Sequence, residues 1–357
     1  MNQDYIKSNE WSIIEEGFNA ERVKSSESLF SIGNGAMGQR ANFEETYTGE
    51  TFQGSYIAGV YYPDKTRVGW WKNGYPEYFA KVLNAPNWIG INIKVNGEQV
   101  DLNTCLKVTE FRRELNMKEG WLARTFKATL KNGIEIAVKA KRFLSLELDE
   151  VGAIKYTITP LSSDATINFE PYLDSGITNE DTNWDAQFWN TLSVFSEGSQ
   201  AFIEAHTMKT DFHTCTFMES QFELNEEKIN IEPEVVKTDK KISFSYGTSV
   251  KKNESFTIYK FAGYTADRNH DKAELTLAAK SVLTKATSLG FKDLLELQKK
   301  SWAKIWETAD ITISGDVKAQ QGIRFNIFQL NQTYLGTDPL LNIGQKGLTG
   351  EKQGGTP

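Results

Sequence analysis

At 357 residues the chain is long enough for one large domain or two ordinary ones, each with a full core. A net charge of −7 argues against a nucleic-acid partner, which needs a clustered basic surface. Aromatic residues make up 12% of the chain and include nine Trp, which suits either sugar-stacking surfaces or the aromatic core of a large β protein.

The N-terminus, MNQDYIKSNEW, has neither an apolar run nor a cleavage pattern, so no signal peptide is expected. No stretch approaches the roughly 20 apolar residues that span a bilayer. Cys105 and Cys215 are expected as free thiols in a reducing compartment, with a cytoplasmic location.

Gly33, Gly35 and Gly38 form a G-x-G-x-x-G string. A dinucleotide site needs a buried strand before it and a helix opening at the last glycine. Ala41-Asn42-Phe43-Glu44-Glu45 shows no helical face, so a tight turn between sheet elements is the better reading. Residues 56–90 then crowd Trp70, Trp71, Tyr75, Tyr78, Phe79 and Trp88 among Gly and Pro, which predicts a long structured loop. It reads either as a rim near a sugar site or partner, or as a satellite apolar cluster.

From 90 to 265 the pattern is all-β. Ile91, Ile93 and Val95 alternate before Asn96-Gly97, the strongest short hairpin signal. Ala128–Leu130 and Ile134–Val138 flank a second turn at Asn132-Gly133. The series continues through Ile154–Ile158, Ile167–Phe169, Phe202–Ala205, Thr214–Met218, Ile242–Tyr246 and Phe256–Phe261. So many strands overfill an immunoglobulin-type sandwich and predict a large two-sheet antiparallel super-sandwich.

Residues 174–189 place Asp and Glu beside Trp184 and Trp189, the materials of a sugar site. Paired carboxylates across a scissile bond need a defined gap, and adjacent loop residues do not define one. His206, His213 and Cys215 invite a metal reading, but H-x6-H-x-C matches no common zinc spacing and offers no fourth ligand, so no metal is expected.

Near residue 268 the period changes. Leu275, Ala278, Ala279, Val282, Leu283 and Ala286 mark a helical face ending at Gly290; Phe291, Leu294, Leu295, Trp302, Ile305 and Trp306 mark a second. Ile311–Ile313 alternates like a short strand. Asp316 can cap a helix carrying Ile323, Ile327, Leu330 and Tyr334 on one apolar face, with Gly336 closing it before a glycine-rich loop. The expected division is a β-sandwich over 1–268, a stiff helical linker over 269–315, and a new helical domain beginning at 316–357. Lys299, Lys300 and Lys304 read as a solvated face.

Several strings carry a family resemblance. QQGIRFNIFQLNQTYLG with LNIG and KGLTGEK, together with SIGNGAMGQRANFEE and NEDTNW, resembles glycoside hydrolase family 65, the maltose, kojibiose and trehalose phosphorylases. AGVYYPDKTRVGWWKNGYPEYF and NAPNWIGI are most similar to the maltose-acting members. The resemblance implies a super-sandwich followed by helices and the first helix of an (α/α)6 barrel. It also implies an inverting phosphorolysis: phosphate attacks the anomeric carbon of an α-glucoside, a glutamic acid protonates the leaving oxygen, and β-glucose 1-phosphate is released. In the family the general acid and phosphate site lie further on, so this chain is expected to be inactive alone, and no catalytic residue is assigned within it. Leu340 and Gln345 stand where relatives usually have Arg and Pro, and Gln353 where an aromatic is usual.

Trp71, Trp184 and Glu351 are the expected substrate-contacting residues at a pocket rim. No cofactor is implied beyond phosphate as co-substrate. The expected partners are an α-glucoside disaccharide and either a second copy or a separate catalytic half. The alternative function is a carbohydrate-binding or interaction module.

Overall fold

The computed structural model describes residues 5–65, 77–180, 187–339, 341 and 354–355. Two antiparallel sheets dominate it. In spatial order the larger takes Ser12–Glu16, Lys107–Asn116, Trp121–Thr129, Glu135–Leu144, Val151–Pro160, Phe256–Ala266, His213–Leu224, Gln200–Thr207 and Trp189–Glu197, with Glu227–Ile229 paired beside His213–Leu224. The smaller runs Glu234–Lys237, Lys241–Val250, Ala165–Asp174, Ile91–Val95 and Glu98–Gln99. The super-sandwich expected from the strand spacing is therefore present.

The hairpins obey local turn chemistry. Asn96 and Gly97 have φ of 49° and 81°, the paired positive values of a primed two-residue turn. Asn132 Oδ1 accepts from Ile134 N in the second turn, where Gly133 has φ 82°. The inner faces of the two sheets meet through aromatic pairs, with Phe169 against Phe256 at 4.7 Å and Phe222 against Tyr246 at 4.3 Å between centroids.

The central strands of the large sheet are buried on both faces. Its other side, carrying Phe143, Phe202, Phe217 and Phe261, receives Leu275, Ala279, Leu283, Ala286, Phe291 and Leu294 from the long helix Leu275–Ala309. This explains why the strand Phe256–Ala266 is buried almost continuously rather than on alternate residues. The short helix α1 is Val23–Leu29, α2 is Leu275–Ala309, and α3 is Val317–Thr333. Gly290, at φ 72°, breaks α2 where the sequence places a helix end. The helical run expected as a linker thus lies along the sheet as a third layer.

Three local expectations change. Ile311–Ile313 forms no strand, because its backbone groups are taken by one side chain: Gln320 Oε1 accepts from Ile313 N at 2.6 Å and Gln320 Nε2 donates to Ile311 O at 2.8 Å. α3 is capped by Asp316, whose carboxylate accepts from Ala319 N, but its buried face is not the apolar stripe. Gln320, Gln321, Arg324, Phe328 and Gln332 are buried, while Leu330 is 62% exposed and Ile323 and Ile327 are half-buried. Long polar side chains win this face by satisfying N-terminal backbone: Gln321 Nε2 donates to Lys7 O and Ser12 O, and Arg324 Nη1 to Glu10 O. Gly336 has φ 71°, three residues beyond the helix end.

The flanks of the expected 56–90 loop pair as a hairpin, Tyr61–Lys65 with Tyr78–Val82, and Gly354–Gly355 adds a strand to it. Trp88 is fully buried and Tyr78 is exposed. Trp70, Trp71 and Tyr75 lie outside the described residues.

Candidate functional site

The expected site residues Trp71, Trp184 and Glu351 all lie outside the described residues, as does the core of the 174–189 loop, 181–186. The described ends of that loop are structural. Asp174 pairs by backbone with Asn87, and buried Asn179 accepts from Asn84 N at 2.9 Å and donates to Val82 O at 3.1 Å. Glu180 is pushed up by burial and by the charge of Glu27.

A different place gathers polar groups. A cleft of about 380 Å³ opens where the turn 34–36, the loop around Asp149 and Glu150, the end of the strand Phe256–Ala266 and the segment after α3 converge. Its position follows from the glycine string. Ile32–Gly33 and Met37–Gln39 form a hairpin, with Gly35 at φ 83° in the turn. Asn34 locks that turn from within: Oδ1 accepts from Ala36 N and Met37 N, and Nδ2 donates to Ser145 O and Asp149 O at 2.7 and 2.8 Å. Gly35 N donates to Gln332 O at 2.8 Å, satisfying a carbonyl in the last turn of α3. A Cβ on Gly33 would stand 2.8 Å from that same oxygen. The string is therefore a turn, as its sequence context predicts, and its glycines permit close approach to a helix end rather than to a phosphate.

Within the cleft, Arg268 Nη1 donates to Ala58 O at 2.7 Å and Nη2 pairs closely with Asp338 Oδ2. His270 Nε2 lies 2.7 Å from Glu150 Oε1. Burial pushes the Glu150 carboxyl up, against the opposing effect of the His270 hydrogen bond. Tyr334 supplies an aromatic wall. Carboxylates, an amide and an imidazole around an open cleft suit a hydroxyl-rich ligand, each hydroxyl both donating and accepting. Glu150, Arg268, His270 and Asp338 carried no motif in the sequence. The available signal was the run Arg268-Asn269-His270-Asp271, charged and polar where the period switches from strand to helix.

The metal triad expected to be empty of meaning is rearranged. Cys215 is buried beneath α2, accepts from Thr276, and has its thiol pushed up to about 12 by burial. Asp211, which the spacing did not single out, takes its place beside His206 and His213. Cys105 is half-buried, and both cysteines are free. Among the described residues no helix is long and apolar enough to cross a membrane.

This sandwich-plus-helix architecture has known relatives. Residues 13–305 match the glycosyl hydrolase family 65 N-terminal domain, and the chain belongs to that family. It is 42% identical over 99% of its length to the maltose phosphorylase of Bacillus subtilis (strain 168), and 31% identical over 96% to the alpha,alpha-trehalose phosphorylase of Thermoanaerobacter brockii. It covers 46% and 45% of those proteins, so it spans somewhat less than half their length. A solved structure provisionally described as a kojibiose phosphorylase from the human microbiome superposes with a TM-score of 0.88 at 29% identity, over 98% of this chain and 45% of that one.

Proposed function

We propose that this chain is the N-terminal part of an inverting α-glucoside phosphorylase of the maltose type, and that it is inactive in phosphorolysis by itself. The observation that carries this reading is the 42% identity to a maltose phosphorylase across 99% of the chain, against 31% for the trehalose-acting relative. The reaction would be attack of phosphate on the anomeric carbon with inversion, assisted by a protonated carboxylic acid at the leaving oxygen.

The sandwich and α2 act as the scaffold. The cleft at Glu150, Arg268 and Asp338 lies beside the segment that follows α3, where the family's barrel begins. Here α3 is the first barrel helix. Its polar face is seated on the N-terminal segment, and Leu330, with half-buried Ile323, remains for further helices to cover. An α-glucoside disaccharide is the proposed ligand of the assembled protein, with Trp71, Trp184 and Glu351 proposed at its rim.

The test is a phosphorolysis assay with maltose, trehalose and kojibiose, following glucose 1-phosphate. The chain alone should give no product. A chimera carrying this chain in place of the matching part of the Bacillus subtilis maltose phosphorylase should release β-glucose 1-phosphate from maltose. Turnover by the chain alone, or a chimera that folds yet prefers trehalose or kojibiose, overturns the reading.

A further inference from the structure

At one end of the large sheet, His206 and His213 face each other directly across the strands Gln200–Thr207 and His213–Leu224. Their rings stack with centroids 5.1 Å apart. Asp211, in the turn that joins the two strands, aims one carboxylate oxygen at both: Oδ1 lies 3.2 Å from His206 Nδ1 and 2.9 Å from His213 Nε2. One ligand atom from each of the three lies within 4.8 Å of the others. We propose that His206 Nδ1, His213 Nε2 and Asp211 Oδ1 form a binding site for a divalent transition-metal ion of the zinc or cobalt type.

The donor set fits that class. Two neutral imidazoles and one carboxylate suit zinc and its neighbours, whereas calcium and magnesium prefer oxygen alone. Donors held about 2.1 Å from one tetrahedral ion stand about 3.4 Å apart, against 3.2 and 2.9 Å from Asp211 Oδ1 to the two ring nitrogens and no more than 4.8 Å between any two of the three donors. Three protein donors leave a fourth position to water.

The surroundings hold the donors in place. Asp211 sits at φ 58°, and its N–H donates to Thr207 O at 3.1 Å. Thr207 Oγ1 accepts from Phe212 N, and Thr210 Oγ1 donates to Tyr61 O at 2.9 Å, tying the turn to a neighbouring strand. Asn190 Nδ2 lies 2.9 Å from His206 Nε2. Turning this amide over puts Oδ1 against the ring, where it accepts the Nε2 proton and leaves Nδ1 free to bind the ion. Lys272 Nζ donates to the outer carboxylate oxygen, Asp211 Oδ2, at 2.7 Å and to Asp211 O at 3.4 Å, and lies 3.8 Å from Asp267 Oδ2. Its charge opposes a cation without occupying the inner oxygen. The backbone turn makes the site visible in three dimensions only: Asp211 is five residues from one histidine and two from the other, a spacing without a motif.

The experiment is a Co²⁺ titration of the full chain, read by visible d–d absorption, followed by Zn²⁺ displacement and thermal melting. A band saturating at one equivalent, removed by Zn²⁺, and a midpoint of unfolding raised by Zn²⁺ are expected. His206→Gln and His213→Gln should each abolish the band, and Asn190→Ala should weaken binding about tenfold. Lys272→Met should tighten it by removing a competing cation, a readout independent of whether the histidine variants fold. Cys105→Ser should leave it unchanged. The proposal is overturned by a titration without a one-equivalent endpoint, by Lys272→Met and Asn190→Ala both leaving affinity unmoved, or by loss of the band in Cys105→Ser.

Discussion

A methyl group at Gly120 would lie 1.8 Å from Trp302 Nε1, and Gly120 has φ 69°. Trp302 thus packs directly over the turn after Lys107–Asn116, and it also stacks on Phe328 of α3 at 4.5 Å and neighbours Trp306. Trp306 in turn donates to Met117 O and meets Trp11 edge-on, with the Arg324 guanidinium 3.7 Å from the Trp11 ring centroid. Gly120→Ala should therefore cost about 2–4 kcal/mol, from steric displacement of a packed indole and a left-handed backbone. A urea midpoint equal to wild type would refute it.

A second residue-scale feature is the buried ionic network. Arg124 binds Glu44 at 2.8 Å and also pairs closely with Glu45, and Arg142 binds Glu44 at 2.6 Å. Burial pushes the Glu44 carboxyl up, but Arg142 and Arg124 outweigh it and hold the group below the ordinary glutamate range. A lowered folded value means that the stability this group contributes is fully present above the ordinary range and is lost as pH falls through the lowered one. Glu44→Gln should cost about 3–5 kcal/mol at neutral pH by leaving buried guanidinium charge unpaired. The gap to wild type should narrow on acidification. Glu15, pushed up by burial beside Arg113, works in the opposite direction, so the single variant is the informative comparison. A gap that stays constant into the acid limb would show that Glu44 does not carry the effect.

At the scale of elements, the turn 33–35 and the end of α3 depend on each other. Gly33→Ala must push the turn away from Gln332 O, losing the Gly35 N–H bond at a cost of about 1–3 kcal/mol. Hydrogen exchange should report it directly: the Gly35 amide should lose protection, while the Asn96-Gly97 hairpin keeps its own. α3 also shows how much of an element sequence can reveal. Asp316 as a cap was legible, since capping needs only a carboxylate at one position. The buried face was not. Periodicity ranks residues by apolarity, and here Gln321 and Arg324 bury themselves on backbone oxygens of residues 7, 10 and 12, some three hundred positions away. The unrealised strand at 311–313 failed for a related reason: its backbone partners are the side chain of Gln320 rather than another strand.

Across the whole molecule, the large sheet is shared by two cores. Phe256 faces the smaller sheet and Phe261 faces α2, on the same strand. Phe256→Ala and Phe261→Ala should each cost about 3–5 kcal/mol and lower one common thermal transition, because neither layer can part without exposing the shared sheet. Calorimetry showing two separate transitions, with Phe261→Ala moving only one, would mean that α2 melts independently.

The sequence by itself determined the fold class, the antiparallel hairpins at Asn96-Gly97 and Asn132-Gly133, the break at Gly290, the cap at Asp316 and the family. These are matters of local chemistry: turn residues, alternation, a helix period and long strings of matching side chains. Only the tertiary structure decided that α2 is a layer on the sheet, that α3 buries its polar side, that Arg268, Glu150 and Asp338 share a cleft, and that Asp211 rather than Cys215 joins the two histidines. Each of those depends on which distant groups meet, through strand register and the satisfaction of buried backbone, and neither is written in the spacing of residues along the chain.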